Sequence, residues 1–199
     1  DEIAVAKCRC TGGTADTTVV AINGWDTDET RYIKIWTDPE ESYRHNGTYQ
    51  TGNKYRLEST AGDEILFLQE YNIQIIGIQF KLHPPDDYTK YECIEFDVYP
   101  EECLIESCIF HLTSDDTKER PIAIDVATYA TWPAGAWIKI QNCFFIAASK
   151  VGTYVEGVRI SDNNSSDTLY IYNCTFKNLK TGIYYRTDAC TTYVKNCGF

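Results

Sequence analysis

One six-residue pattern occurs five times in the 199-residue chain: IIGIQF from Ile75, IESCIF from Ile105, IQNCFF from Ile140, IYNCTF from Ile171 and VKNCGF from Val194. A unit this short cannot bury its own apolar face, so a chain that repeats it must stack the copies on one another. The starts are unevenly spaced, as expected when loops of different length are inserted between stacked units. Strand alternation turns position one inward and position two outward. Position three reads Gly77, Ser107, Asn142, Asn173 and Asn196; Gly and Asn enter the left-handed backbone region at least cost, so a corner is expected there. Beyond the corner, positions four and six face inward again. Stacking at the strand spacing of about 4.8 Å then predicts a column of thiols (Cys108, Cys143, Cys174, Cys197) beside a column of phenyl rings (Phe80, Phe110, Phe145, Phe176, Phe199).

A second apolar alternation follows most copies, at 93–98 (CIEFDV), 121–127 (PIAIDVA), 156–161 (EGVRIS) and 181–186 (TGIYYR). Its period of two marks a sheet with one buried face, and almost no stretch sustains a helical period, so an all-β chain is expected. The I-x-N-C/N-x-F/I hexapeptide followed by a G-I-x-x strand resembles the parallel β-helix repeat of the pectin-lyase-like superfamily, over about Lys54 to Phe199. That resemblance implies a right-handed single-stranded parallel β-helix, a β-solenoid. One domain then covers 1–199, with less regular N-terminal coils in 1–53 and regular coils in 54–199. Strands are expected upstream at VVAING and RYIKIWTD, and RHNGTYQTGNKYRLE is similar to a loop of uncharacterised secreted members. Members usually begin with a capping helix, yet Asp1 to Ala6 reads as strand, and the last hexapeptide ends at Phe199. Open sheet edges invite pairing, so the chain is expected either to be part of a longer one or to stack end to end on copies of itself.

Eighteen Lys and Arg against 29 Asp and Glu give a net charge of −11, which repels phosphate backbones and anionic lipid headgroups. Neither nucleic acid nor membrane insertion is therefore expected, and no apolar run is long enough for a span. The opening DEIAVAKC lacks the plan of a signal peptide and the chain has no Met, which suits a mature or excised segment. The nine cysteines cannot all pair within one chain, and they lack the spacing of a zinc site, as do His45, His83 and His111. Cys93 with Cys103, or Cys8 with Cys10, could form disulfides; the inward thiols read as small hydrophobes.

Aligning the second strands by their inward residues gives two outward columns: Glu95, Ala123, Arg159, Tyr184, and Asp97, Asp125, Ser161, Arg186. Asp97 and Asp125 would then be neighbours about 5 Å apart. Such a pair can hold calcium through hard oxygen ligands or, with Arg159 and Arg186, a sugar; the plain alternative is solvated surface charge. On the first strands the outward positions run Gln74, Leu104, Lys139, Tyr170, Tyr193 and Ile76, Glu106, Gln141, Tyr172, Lys195. The tyrosines can stack on sugar rings or a partner protein, or simply brace the sheet. Trp132 is a further contact candidate, or else lies over the coil. Asp26 to Glu29 lacks the offsets of a calcium loop and reads as a turn. His111 has no partner positioned to make it a base. Asn46 and Asn163 are loop glycosylation sites if the source is eukaryotic, whereas Asn173 sits at a corner.

Superfamily lyases combine calcium carboxylates with a basic residue, and superfamily hydrolases use clustered aspartates. No matching signature occurs here, so the resemblance carries over no catalytic residue. The expectation is a non-catalytic extracellular, cell-surface or virion-surface protein, structural or adhesive. The alternatives are a polysaccharide lyase or glycoside hydrolase module and a carbohydrate-binding module.

Overall fold

A computed structural model describes residues 3–60, 64–85, 89–98, 100–115, 118–126, 135–148, 154–161, 168–185 and 190–199. Among these residues the protein is all-β, with no helix. The chain opens with β1 (Ala4–Lys7), β2 (Val20–Ile22), β3 (Ile33–Trp36), β4 (Arg56–Ser59) and β5 (Leu66–Leu68). From the first hexapeptide onward it settles into rounds of three strands. These are β6 (Ile73–Ile76), β7 (Gln79–Leu82) and β8 (Lys90–Phe96); β9 (Glu102–Glu106), β10 (Ile109–Leu112) and β11 (Arg120–Val126); β12 (Trp137–Gln141), β13 (Phe144–Ala147) and β14 (Glu156–Ile160); and β15 (Thr168–Tyr172), β16 (Thr175–Lys177) and β17 (Thr181–Tyr185), before β18 (Thr191–Lys195).

Each round contributes one strand to each of three sheets, and every strand pair is parallel. Sheet A runs β1-β3-β6-β9-β12-β15-β18, sheet B β4-β7-β10-β13-β16, and sheet C β2-β5-β8-β11-β14-β17. The hexapeptide is the junction between sheets A and B. Its third residue has a positive φ in every copy: 72° at Gly77, 52° at Ser107, 56° at Asn142, 54° at Asn173 and 54° at Asn196. The left-handed region costs most residues about 1–2 kcal/mol, a cost that Gly avoids and Asn reduces. The asparagines also bond to one another along the stack. Asn196 Nδ2 donates to Asn173 Oδ1 and Asn173 Nδ2 to Asn142 Oδ1, both at 3.3 Å.

The two predicted columns are present. Successive phenyl rings from Phe80 through Phe110, Phe145 and Phe176 to Phe199 lie 5.0, 4.8, 4.7 and 5.0 Å apart between centroids and nearly parallel. Beside them Cys108, Cys143 and Cys174 are buried, each thiol donating to the carbonyl of a first-strand residue one round back: Ile75, Ile105 and Ile140. All nine cysteines are free, so neither suggested disulfide is formed. One apolar cluster runs from Ile33 to Phe176 through the middle of the three sheets. Each fully buried side chain of this kind contributes about 1.5–3 kcal/mol.

The first corner is Gly for a local reason. The segment between β3 and β4 folds back over it, so a Cβ at Gly77 would lie 2.6 Å from the Arg44 guanidinium carbon and 2.7 Å from Thr37 Oγ1. Thr37 Oγ1 donates to the Gly77 carbonyl and Arg44 Nη1 to that of Thr37. His45 Nε2 sits 2.7 Å from the carbonyl of Ser107, the corner one round on.

Candidate functional site

Two outward faces carry chemistry, one on sheet C and one on sheet A. On sheet C the chain makes a bend that strict alternation does not anticipate. Ile65 and Leu66, Cys93 and Ile94, and Ala123 and Ile124 are consecutive pairs, yet both members of each face the core. The bend leaves Glu92 and Glu95 on the same side, where a period of two would put them on opposite faces. Glu64 precedes the equivalent pair one round earlier, and one carboxylate oxygen from each of Glu64, Glu92 and Glu95 lies within 4.8 Å of the others.

The register corrects the expected columns. Asp125 is paired with Glu95 on one side and Arg159 on the other, and Arg159 with Tyr184. Ala123 faces the core. Asp97 lies beyond the end of β8, exposed, and accepts a hydrogen bond from Gln69 Nε2 at 3.0 Å. The Asp97–Asp125 pair therefore does not form. β11 alone is displaced by two residues, because the bend at Ala123–Ile124 turns both of these side chains inward and breaks the alternation. Nor is Asp125 solvated: its relative exposure is 0%.

Around Asp125 the charges are tightly placed. Lys90 Nζ is 3.1 Å from Asp125 Oδ2 and 3.6 Å from Glu92 Oε1. The buried Arg159 guanidinium reaches Asp125 Oδ2 at 3.9 Å and Glu156 Oε2 at 3.6 Å, lies over the Tyr184 ring at 5.3 Å, and donates to Ser161 Oγ. Among the described residues, Asp125 Oδ1 and Glu156 Oε2 are buried without a hydrogen-bond partner. Burial, then the neighbouring Asp125, pushes the Glu92 carboxyl up to about 8; burial, then Glu64 and Asp125, pushes Glu95 up to about 7. Burial raises Glu156 too, against the pull of Arg159 and Arg120. Sequence reasoning found Asp125, Arg159 and Tyr184 but missed Glu64, Glu92 and Lys90, whose convergence depends on the bend.

On sheet A the outward columns are those expected. Lys139, Tyr170 and Tyr193 are in register, as are Gln141, Tyr172 and Lys195. The Tyr170 and Tyr193 rings stack at 5.5 Å and 13°, with Tyr172 tilted beside Tyr170 at 5.7 Å. Lys195 lies over Tyr172, Lys139 over Trp137 and Tyr170, and Lys34 over Trp36. None of these three lysines forms an ion pair among the described residues. Trp36 and Trp137 thus extend an aromatic and cationic strip whose C-terminal half the sequence had marked. Tyr184 belongs to the other face.

The remaining candidates are quieter. The half-buried His111 lies against Tyr49, ring centroids 4.5 Å apart and planes tilted by 36°, and its Nδ1 has no hydrogen-bond partner among the described residues; burial, then Lys81, lowers its pKa. Asp28 closes a turn by accepting from the amides of Thr30 and Arg31. Asn46 is exposed on a loop, its Oδ1 accepting from Thr48 Oγ1. Asn163, Trp132 and Arg186 lie outside the described residues. At the N-terminal round an apolar cavity of about 540 Å³ is lined by Val5, Val20, Ile22, Trp25, Tyr55 and Leu57 among others, and at the other end Phe199 is 76% exposed. No protein-family model matches the chain, and no curated protein or solved structure matches it either.

Proposed function

We propose that this chain is a non-catalytic adhesive protein, a right-handed parallel β-helix that binds polysaccharide along the outer face of sheet A. The observation that carries this reading is the stacked Tyr170–Tyr193 pair flanked by Tyr172, with Lys139 and Lys195 beside it and, among the described residues, no carboxylate within ion-pair distance of either. Flat rings give pyranose faces a surface to stack on, and free ammonium groups supply donors to sugar hydroxyls or carboxylates. The regular spacing of parallel strands suits a ligand that is itself a repeating chain. The setting we propose is extracellular, at a cell or virion surface. Pectin-lyase-like ancestry remains part of the proposal, resting on the hexapeptide and its corner asparagines.

Glycan-array screening followed by calorimetry on the best ligand tests this. Each aromatic contact is worth about 0.5–1.5 kcal/mol, so the Tyr170→Ala, Tyr193→Ala double variant is expected to weaken binding about tenfold or more. Binding that survives this change, or no binding to any glycan, overturns the reading. A second reading, end-to-end self-association, is favoured by the apolar cavity at one end and the exposed Phe199 and Val194 at the other. Fibres or a concentration-dependent sedimentation coefficient, abolished by Phe199→Ser, would support it.

A further inference from the structure

We propose that Asn46 is a self-modification site: the Gly47 nitrogen attacks the Asn46 side-chain amide, with His45 as base and Thr48 polarising the carbonyl, and water opens the resulting succinimide to aspartate and isoaspartate. The site lies on the segment between β3 and β4, apart from the sheet A strip, so the two proposals stand or fall independently.

Three contacts around this loop carry it. The Gly47 amide donates to His45 Nδ1 at 3.1 Å, Thr48 Oγ1 donates to Asn46 Oδ1 at 3.0 Å, and His45 Nε2 lies 2.7 Å from the Ser107 carbonyl. A carbonyl only accepts and an amide N–H only donates, so His45 is neutral, with its proton on Nε2 and its Nδ1 lone pair on the Gly47 N–H. Burial is the main influence lowering the His45 pKa; the bond to Ser107 opposes it, and Arg44 and Lys54, the charged groups facing the ring, reinforce it. His45 is therefore free to act as a base at neutral pH, and the Ser107 carbonyl stabilises the imidazolium formed when it takes a proton.

The step balances within the chain. The Gly47 nitrogen bonds to Asn46 Cγ and gives its proton to His45 Nδ1, while the Thr48 hydroxyl holds the charge that collects on Asn46 Oδ1. The Asn46 Cγ–Nδ2 bond then breaks, and Nδ2 leaves as ammonia with the proton returned from His45. Water adds to either carbonyl of the cyclic imide. Gly47 has no side chain to shield its nitrogen and sits in open space at a φ of 98°, and Asn46 is exposed, so water reaches the imide.

The chain holds its own control. Asn23–Gly24 is the same dipeptide, also exposed, with Gly24 at a φ of 81°. Asn23 Nδ2 donates to Gln69 Oε1 at 3.2 Å, but among the described residues no base accepts from the Gly24 amide and no hydroxyl donates to Asn23 Oδ1.

Protein produced in bacteria, so that Asn46 carries no glycan, is incubated folded and, separately, unfolded in urea. Peptide mass spectrometry follows the gain of one mass unit at each asparagine. In the folded protein Asn46 is expected to react at least about tenfold faster than Asn23, within what a positioned base supplies; in urea the two rates should converge. His45→Gln, which keeps a donor for the Ser107 carbonyl, and Thr48→Val, each checked by circular dichroism, are expected to remove most of the excess. The pH profile separates a base from a structural prop. Above the ordinary histidine value of 6.5 the Asn46 rate should level off in the unaltered protein. In His45→Gln it should instead rise about tenfold per pH unit, hydroxide then being the base. Equal rates at Asn46 and Asn23 in the folded protein, a rate in the unaltered protein that keeps climbing with pH, or an Asn46 rate unchanged in folded His45→Gln would overturn the proposal.

Discussion

Asn142 shows how much one side chain decides here. It occupies a φ of 56° at a corner, and its amide is tied to the next asparagine along the stack. Asn142→Val is expected to destabilise the protein by about 1–2 kcal/mol from backbone strain alone, while Asn142→Gly, which keeps the turn but loses the amide bond, should cost less; urea denaturation distinguishes them. The corner positions were legible in the sequence because Gly and Asn advertise them. That Gly77 must be Gly, being crowded by Arg44 and Thr37, was not legible, because it depends on a segment that returns from elsewhere. The carboxylates make a pH prediction. The folded-state pKa of Glu92 is raised to about 8 and that of Glu95 to about 7, so between about pH 4.5 and 8 the folded chain holds more protons than the unfolded one. Stability contributed by these groups therefore falls as pH rises through that window. Glu41 acts oppositely and elsewhere: bonds from Arg9 and Lys7 lower it to about 2, so its contribution is complete above about pH 4.5 and lost below. Melting temperatures should decline from pH 5 to pH 8.

At the scale of elements, the first strands and their hexapeptides were readable down to the register. The columns expected on sheet A, Lys139 with Tyr170 and Tyr193, are the columns found. The corner residue and the Phe two positions after the Cys pin each copy, so no slip is tolerated. The second strands have no such pin. Alternation aligns β11 alone two residues out of register and turns Ala123 outward, which pairs Asp97 with Asp125 and hides the true neighbours of Asp125, Glu95 and Arg159. The bends at Ile65–Leu66, Cys93–Ile94 and Ala123–Ile124 interrupt the alternation from which that alignment was made. Stacking of the ring column makes its own prediction. Phe145 lies between Phe110 and Phe176 with no exposure, so Phe145→Ala is expected to cost about 3–5 kcal/mol. The half-exposed Tyr193 should cost far less when truncated; thermal denaturation of both variants checks this.

For the whole molecule, parallel stacking means that each round touches chiefly the rounds next to it. Stability in such an array is close to a sum of local terms and neighbour interfaces. Rounds with a neighbour on both sides should therefore open least often. Hydrogen exchange followed by mass spectrometry is expected to be slowest in β9, β10, β12 and β13 and fastest in β1, β2, β17 and β18; uniform protection along the chain would contradict it. The net charge of −11 conceals how unevenly charge is distributed. Carboxylates gather on sheet C, while lysines without acidic partners lie on sheet A. Composition averages over faces, and only the register separates them.

The interior sulfurs give the molecule a built-in clock. Cys143 is buried, 2% exposed, and burial holds its thiol well above the ordinary range. A maleimide or iodoacetamide reagent can reach it only in chains whose rounds have parted. The rate at which Cys143 becomes alkylated under native conditions therefore counts how often the stack comes apart.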